Sequence, residues 1–326
     1  PAVVRAIEKG GRTAQATTAL WEQLEATGLA DALLSEDAGG AGLGLGQVFG
    51  VLEQCGAHAL PLPLGETMVA RALLAQAGVA RPAGSIALAR GEHLANGGLR
   101  CALVRSGQVA AAVLVQTGTE WRLLNTADAQ GAAQALALDA ALTWTAVQVQ
   151  AAPAVEVNGA LDVRTLQASV VAAQMAGALS SVFQRSLQYA NERQQFGRPI
   201  GKFQAIQHQL AVMSEHVFAA RMAAQLGCSA GHDGMGVVPD RLRVATAKAR
   251  CSEAALVVSE LAHAIHGAIG FTEEYDLQLF TRRLHAWRQT AGSEAYWYGV
   301  AGEALLHHQG MTLDIVRRIT DVDTVL

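Results

Sequence analysis

Residues 165–184 run without a single charged side chain, inside a helical pattern that extends over residues 161–192. A helix that is apolar nearly all round must be covered on every side, by lipid or by other helices. The tract carries three glutamines and three serines, and charges flank it within the same helix, which favours cover by helices over a membrane span. Long patterns of the same kind follow at residues 203–226, 239–269, 275–287 and 293–307, with Pro239 at a plausible helix start. Long helices joined by short turns, one of them at residues 229–238, imply an up-and-down bundle. Ala176-Gly177-Ala178 should let a neighbouring helix come close.

Upstream, residues 2–76 read as helices with short loops, at 14–28, 47–58 and 65–77, broken by Pro61 and Pro63. From residue 84 to residue 157 the period shortens. Runs at 85–89, 101–104, 109–115, 121–124 and 143–149, bounded by Gly, Asn and Asp, read as strands of a small antiparallel β unit. The expected organisation is therefore mainly α with a small β domain: helices over 1–83, the β unit over 84–157, and a helical bundle over 158–326.

With 51% hydrophobic residues in 326, the chain can bury a sizeable core, and a net charge of −4 argues against general nucleic-acid binding. Cys55, Cys101, Cys228 and Cys251 form no C-x-x-C pair and read as reduced, buried thiols of a cytoplasmic protein. No cationic segment followed by a long apolar core opens the sequence, so no secretory signal is expected. His263 and His266 stand three apart on one helix, but no third ligand sits at a recognisable spacing, so no metal site is expected.

Two stretches carry chemistry. At the break between the first two long helices stands Arg193-Gln194-Gln195-Phe196-Gly197-Arg198-Pro199-Ile200, followed by Gln204. An arginine there can pair bidentately with a phosphate, and the next helix start offers backbone N–H groups to an anion. The alternative is a solvated polar loop. About seventy residues on comes His266-Gly267-Ala268-Ile269-Gly270-Phe271-Thr272-Glu273-Glu274-Tyr275, where a glycine leaves room for close backbone approach.

Together these resemble the acyl-CoA dehydrogenase family of flavoproteins, with its R-x-x-F-G-x-x-I-x-x-x-Q and Q-x-h-G-G/A-x-G-F-T-x-E-Y motifs in this order and at this separation. The glycine-rich loop around Leu33, Glu36, Gly39, Gly40 and Gly42 resembles another family element, with Ser35 where proline is usual. The resemblance implies FAD as cofactor, an acyl-CoA as substrate, α,β-dehydrogenation of its thioester, and a homodimer, tetramer or heterotetramer with a second such subunit. It implies that Arg193, Phe196 and Gln204 hold the pyrophosphate and adenosine half of an FAD across a subunit interface. Gly267 and Ala268 then form the tight backbone beside its pyrophosphate.

The chain also departs from the family. Ala264 stands where glutamine is usual. The middle domain is short and lacks T-E-P-x-A-G-S-D; its only glutamates between Pro82 and Ala154 are Glu92 and Glu120, neither followed by proline. The family's catalytic glutamate falls in register on Ala291, or on Gly292 after a one-residue slip, and its alternative location falls near Gln167. Glu294 is the nearest acid and the tentative catalytic candidate, although Ser293-Glu294 also reads as a helix start with Ser293 as its cap. A partner that lends only its FAD contacts, or a cofactor-free scaffold, are the alternatives to a catalytic subunit.

Overall fold

The computed structural model describes residues 1–136, 138–157, 161–229 and 237–320. It divides into two compact units: Pro1–Val48 with Leu60–Gln167 and Asp233–Val238, and Phe49–Ala59 with Ala168–His232 and Pro239–Leu326.

The first unit opens with helices α1 (Ala2–Gly10) and α2 (Gln15–Ala26); α3 (Phe49–Ala57) belongs to the second unit, and α4 (Leu64–Gln76) returns to the first. Seven strands follow: β1 (Ile86–Arg90), β2 (Glu92–His93), β3 (Leu99–Val104), β4 (Ala112–Thr117), β5 (Glu120–Asn125), β6 (Gln130–Ala133) and β7 (Ala140–Trp144). They form two sheets, ordered β1-β4-β5 and β2-β3-β7-β6. Their shared core includes Ala87, Leu99, Cys101, Val113, Val115, Leu142 and Trp144, all buried.

The small β unit is present but not purely antiparallel, because β1 pairs with β4 in parallel. The reason is topological: β2 and β3 join the second sheet, so the chain comes back to the first one running in the direction of β1. The outer edge of β1 is satisfied by side chains. Glu66 of α4 accepts from Leu88 N–H at 2.8 Å, and Thr67 Oγ1 accepts from Ile86 N–H at 2.9 Å. Gln167 donates to the Leu88 carbonyl at 3.1 Å. Blocking an edge in this way removes unpaired backbone groups that would otherwise template aggregation.

The run read as a strand over 143–149 splits in two. Its second half is the short helix α5 (Ala146–Ala151), started by Thr145 and Gln148 in a reciprocal capping box. The alanine-rich tract around residue 131 supplies β6, which the sequence pattern did not suggest.

The second unit is the bundle: α6 (Val163–Glu192, in this unit from Ala168), the two-residue strands β8 (Gln194–Gln195) and β9 (Arg198–Pro199), α7 (Gln204–Gly227), α8 (Arg241–His266), α9 (Leu277–Gln289), α10 (Glu294–His307) and α11 (Thr312–Thr320). α6 and α8 are long and apolar enough to cross a membrane, but 78% of the most apolar window of α6 is buried within the protein. Most of the turn expected at 229–238 lies outside the described residues. α8 starts at Arg241 and not at Pro239; Asp240 caps it, accepting from the Leu242 and Arg243 N–H groups at 2.9 Å each.

Close approach of helices decides the packing. A Cβ at Gly177 of α6 would stand 1.8 Å from the Glu53 carbonyl oxygen, and one at Gly56 of α3 would stand 1.8 Å from that of Gln174. α3 and α6 therefore touch backbone to backbone. Cys251 of α8 donates through Sγ to the carbonyls of Ala172 on α6 and Ala220 on α7, so three helices meet at one buried thiol. All four cysteines are free and buried. Burial raises the Cys251 thiol to about 12, so it stays protonated.

Candidate functional site

The break after α6 is a β-hairpin. Gln194 pairs with Pro199 and Gln195 with Arg198, and Phe196 and Gly197 form the two-residue turn with φ of 52° and 77°. Left-handed conformation at both central residues defines a type I′ turn, which matches strand twist but favours Asn-Gly. A phenylalanine at the first position is strained, and its ring is 91% exposed. The ring meets Phe203 edge-on at 6.1 Å, and the Arg198 guanidinium lies 4.2 Å over the Phe203 ring.

Arg193 forms the base of the hairpin. Its N–H donates to the Tyr189 carbonyl at 2.8 Å, and its carbonyl accepts from Ile200 N–H at 2.8 Å. Its side chain is exposed, and among the described residues no acid pairs with it. Phe203 occupies the N-cap position of α7 and supplies no side-chain acceptor. Gln204, exposed, is the first residue of that helix.

The second stretch begins where α8 stops. Gly267 has φ 64° and ψ −145°, and its N–H closes the helix on the His263 carbonyl. No atom lies within 4 Å of where its Cβ would stand. A tight 3₁₀ turn, Gly267–Phe271, follows with Ala268 exposed. Ala264 is exposed on the last turn of α8. The two stretches are brought together by rings: Tyr189 of α6 stacks on His266 at 4.5 Å between centroids, and Tyr275 lies 5.0 Å from His266.

These residues fit an anionic dinucleotide. There is a free guanidinium beside an exposed aromatic ring, an uncapped helix start, and a glycine turn with open space in place of a side chain. The five residues that the resemblance assigns to FAD, Arg193, Phe196, Gln204, Gly267 and Ala268, all lie on these two stretches.

The register of the missing acid has its own architecture. Ala291 and Gly292 both have positive φ, 57° and 104°. A Cβ at Gly292 would come within 2.7 Å of the Tyr296 ring and 2.9 Å of Trp297 Nε1. The Ala291 carbonyl accepts from Trp297 Nε1 at 3.0 Å. Beneath the turn, Lys248 is fully buried and donates to Ser252 Oγ at 2.9 Å, the Arg288 carbonyl at 3.0 Å and the Gly292 carbonyl at 2.9 Å. Burial lowers its ammonium to about 7, with the Arg288 charge acting the same way and Cys251 and Glu294 opposing.

Glu294 is not a free base. It forms a two-pronged ion pair with Arg288, one prong being Arg288 Nε to Oε2 at 3.0 Å. That hydrogen bonding holds its carboxyl below the usual glutamate range. Ser293 stands at the N-cap position but makes no side-chain cap bond, so α10 begins on the charge of Glu294 alone. Gln167, at the alternative register, donates to Glu66 Oε1 at 3.3 Å. Glu66 is fully buried beside Arg105, and burial raises its carboxyl despite the Arg105 charge and the Leu88 and Gln167 hydrogen bonds. Sequence reasoning did not find Tyr189, Lys248 or Arg288. The one available signal was Lys248 standing as the one charged residue between Val244 and Ala249.

Both the sequence and the fold of this chain have relatives among known proteins. The family model described as "acyl-CoA dehydrogenase, C-terminal domain" matches residues 165–306. The acyl-CoA dehydrogenase IpdE2 of Mycolicibacterium smegmatis is 31% identical over 278 residues, covering 84% of this chain and 83% of the relative. Acyl-CoA dehydrogenase FadE34 of Mycobacterium tuberculosis is 30% identical over 318 residues, covering 91% of this chain and 44% of the relative. Among solved structures, a Tcur3481–Tcur3483 steroid acyl-CoA dehydrogenase variant superposes with TM-score 0.74 at 27% identity, covering 94% of this chain and 96% of that one. The ChsE4–ChsE5 complex from Mycobacterium tuberculosis gives 0.76 at 21% identity, with coverage of 95% and 96%. The chain belongs to the acyl-CoA dehydrogenase family of FAD-dependent oxidoreductases.

Proposed function

We propose that this chain is the FAD-sharing subunit of a two-subunit acyl-CoA dehydrogenase, clamping an FAD held mainly by its partner and supplying no base of its own. The carrying observation is the turn before α10. Position 292 has no room for a side chain, Ala291 ends at a methyl group, and Glu294 is engaged by Arg288. The nearby Lys248 is a hydrogen-bond donor to the turn and not a proton acceptor towards solvent.

In this reading Arg193 forks onto the pyrophosphate, and Phe196 offers a ring face on the adenine side. The Gly267 turn lets the backbone approach the phosphates, and the α7 start adds its dipole. Bound FAD would supply the hydride acceptor for the β-carbon of an acyl-CoA whose α-proton would be lost to a base. That base is assigned to the partner. The ChsE4–ChsE5 complex and the Tcur3481–Tcur3483 enzyme among the neighbours are consistent with such a pairing.

The test is the visible flavin spectrum of the chain purified alone and co-purified with a second acyl-CoA dehydrogenase subunit. The expected result is little flavin alone, flavin in the complex, and bleaching by acyl-CoA only in the complex. A homo-oligomer that holds FAD stoichiometrically and is bleached by acyl-CoA would overturn the reading and restore a self-sufficient enzyme.

A further inference from the structure

The hairpin and the glycine turn come from helices whose ends are far apart in sequence, and Tyr189 links them. Tyr189 lies one helical turn before Arg193, whose N–H it receives at its carbonyl. Its ring stacks on His266 with 26° between planes, and its hydroxyl reaches the His266 carbonyl at 3.5 Å, the residue before Gly267. His266 is itself fixed. Its Nδ1 lies 2.7 Å from the Ala262 carbonyl, which can only accept, so Nδ1 carries the proton. Nε2 is then the acceptor for the Tyr275 hydroxyl at 3.3 Å. Burial keeps the ring neutral below the usual imidazole range, the Arg185 charge adding to it and the Ala262 bond opposing.

We propose that Tyr189 is a positioning residue that, through its stack on His266, holds the Gly267 turn in register with Arg193. The proposal rests on the reading of these two stretches as one dinucleotide clamp. Neither Tyr189 nor His266 needs to touch the ligand for this. An α8 end that rocks away from α6 presents Gly267 and Arg193 to different places, and the pair no longer binds as a unit.

The test uses the assembled complex and FAD titration, with Tyr189→Leu, Tyr189→Phe and Arg193→Ala side by side. Tyr189→Leu should weaken FAD binding about tenfold, the scale of an aromatic pair, while Tyr189→Phe keeps the stack and stays within about threefold. Amide hydrogen exchange at Gly267–Gly270, measured without FAD, should accelerate in Tyr189→Leu and not in Tyr189→Phe. Unchanged exchange there overturns the inference whatever the FAD titrations show. Accelerated exchange and weakened FAD binding in Tyr189→Leu, with Phe rescuing both, establishes it. If Arg193→Ala leaves FAD binding intact, the clamp reading fails, and exchange alone decides whether Tyr189 positions the turn. If Arg193→Ala weakens FAD and Tyr189→Leu does not, the positioning role is overturned and the clamp stands.

Discussion

Lys248 Nζ donates at 2.9 Å to the carbonyl of Gly292, so a fully buried amine latches the turn in which the family's acid would lie. Its three oxygen partners suit an ammonium, and two carbonyls with a Ser252 hydroxyl also suit a neutral amine.

The lysine makes stability depend on pH in a stated direction. Its folded value is depressed to about 7 from 10.5, so between those values the unfolded chain binds a proton that the folded chain does not. The cost of burying the charge is fully present below about pH 7 and is relieved as pH rises. Relative to Lys248→Met, the native chain should therefore gain stability at about 1 kcal/mol per pH unit between pH 7.5 and 9. Urea titrations of both proteins across that range check it, and a constant difference would show that Lys248 titrates elsewhere.

Arg193→Ala should weaken FAD retention in the assembled protein by about 1.5–3 kcal/mol, the range for a charge-assisted hydrogen bond. Arg193→Lys should recover only part, because an ammonium cannot make the planar fork. Flavin content after dialysis is the measurement. Full occupancy in both variants would leave Arg193 a solvated loop residue.

The helical bundle was readable because uncharged 165–184 allows few covers, and Gly177 reported a close neighbour in advance. The five residues expected to touch FAD stand in two motifs of the sequence; the Tyr189–His266 stack between those motifs is a long-range contact with no local signature. The parallel β1–β4 pair depends on two strands leaving the sheet, a choice made by tertiary packing and not by period. α5 is a different failure. Thr145-x-x-Gln148 is a capping box, and its signal was present but masked by Val147 and Val149, whose alternation with Gln148 reads as strand.

Glu294→Gln tests the acid nearest the family's catalytic register. Its ion pair with Arg288 is partly exposed, so loss of the charge should cost about 1 kcal/mol or less. That contribution is present at neutral pH and fades only as pH falls through the depressed folded value. Activity of an assembled complex should change by less than about tenfold, since a group displaced from the reacting atoms contributes little. A fall of about a thousandfold with flavin content unchanged would make Glu294 the base, because general-base loss has that scale.

The contact between α3 and α6 makes the sharpest stability prediction. At Gly177 a new Cβ meets the Glu53 carbonyl at 1.8 Å and the Ala57 nitrogen at 2.7 Å, both backbone atoms that no rotamer change can move. Ser181 Oγ, one turn on, donates to the Ala57 carbonyl at 2.7 Å and ends α3, so the helices cannot separate without losing that bond as well. Arg221 of α7 also pairs with Glu53 of α3 at 2.6 Å. Gly177→Ala should therefore cost about 3 kcal/mol, at the upper end for overpacking. Gly299→Ala, on α10 with nothing within 4 Å of its new Cβ, should instead stabilise by about 0.5–1 kcal/mol through helix propensity. Urea denaturation of the isolated chain reads both. Equal midpoints for Gly177→Ala and the native protein would mean that α3 does not sit against α6 in solution, and the bundle would lose the element that covers the uncharged face of its longest helix.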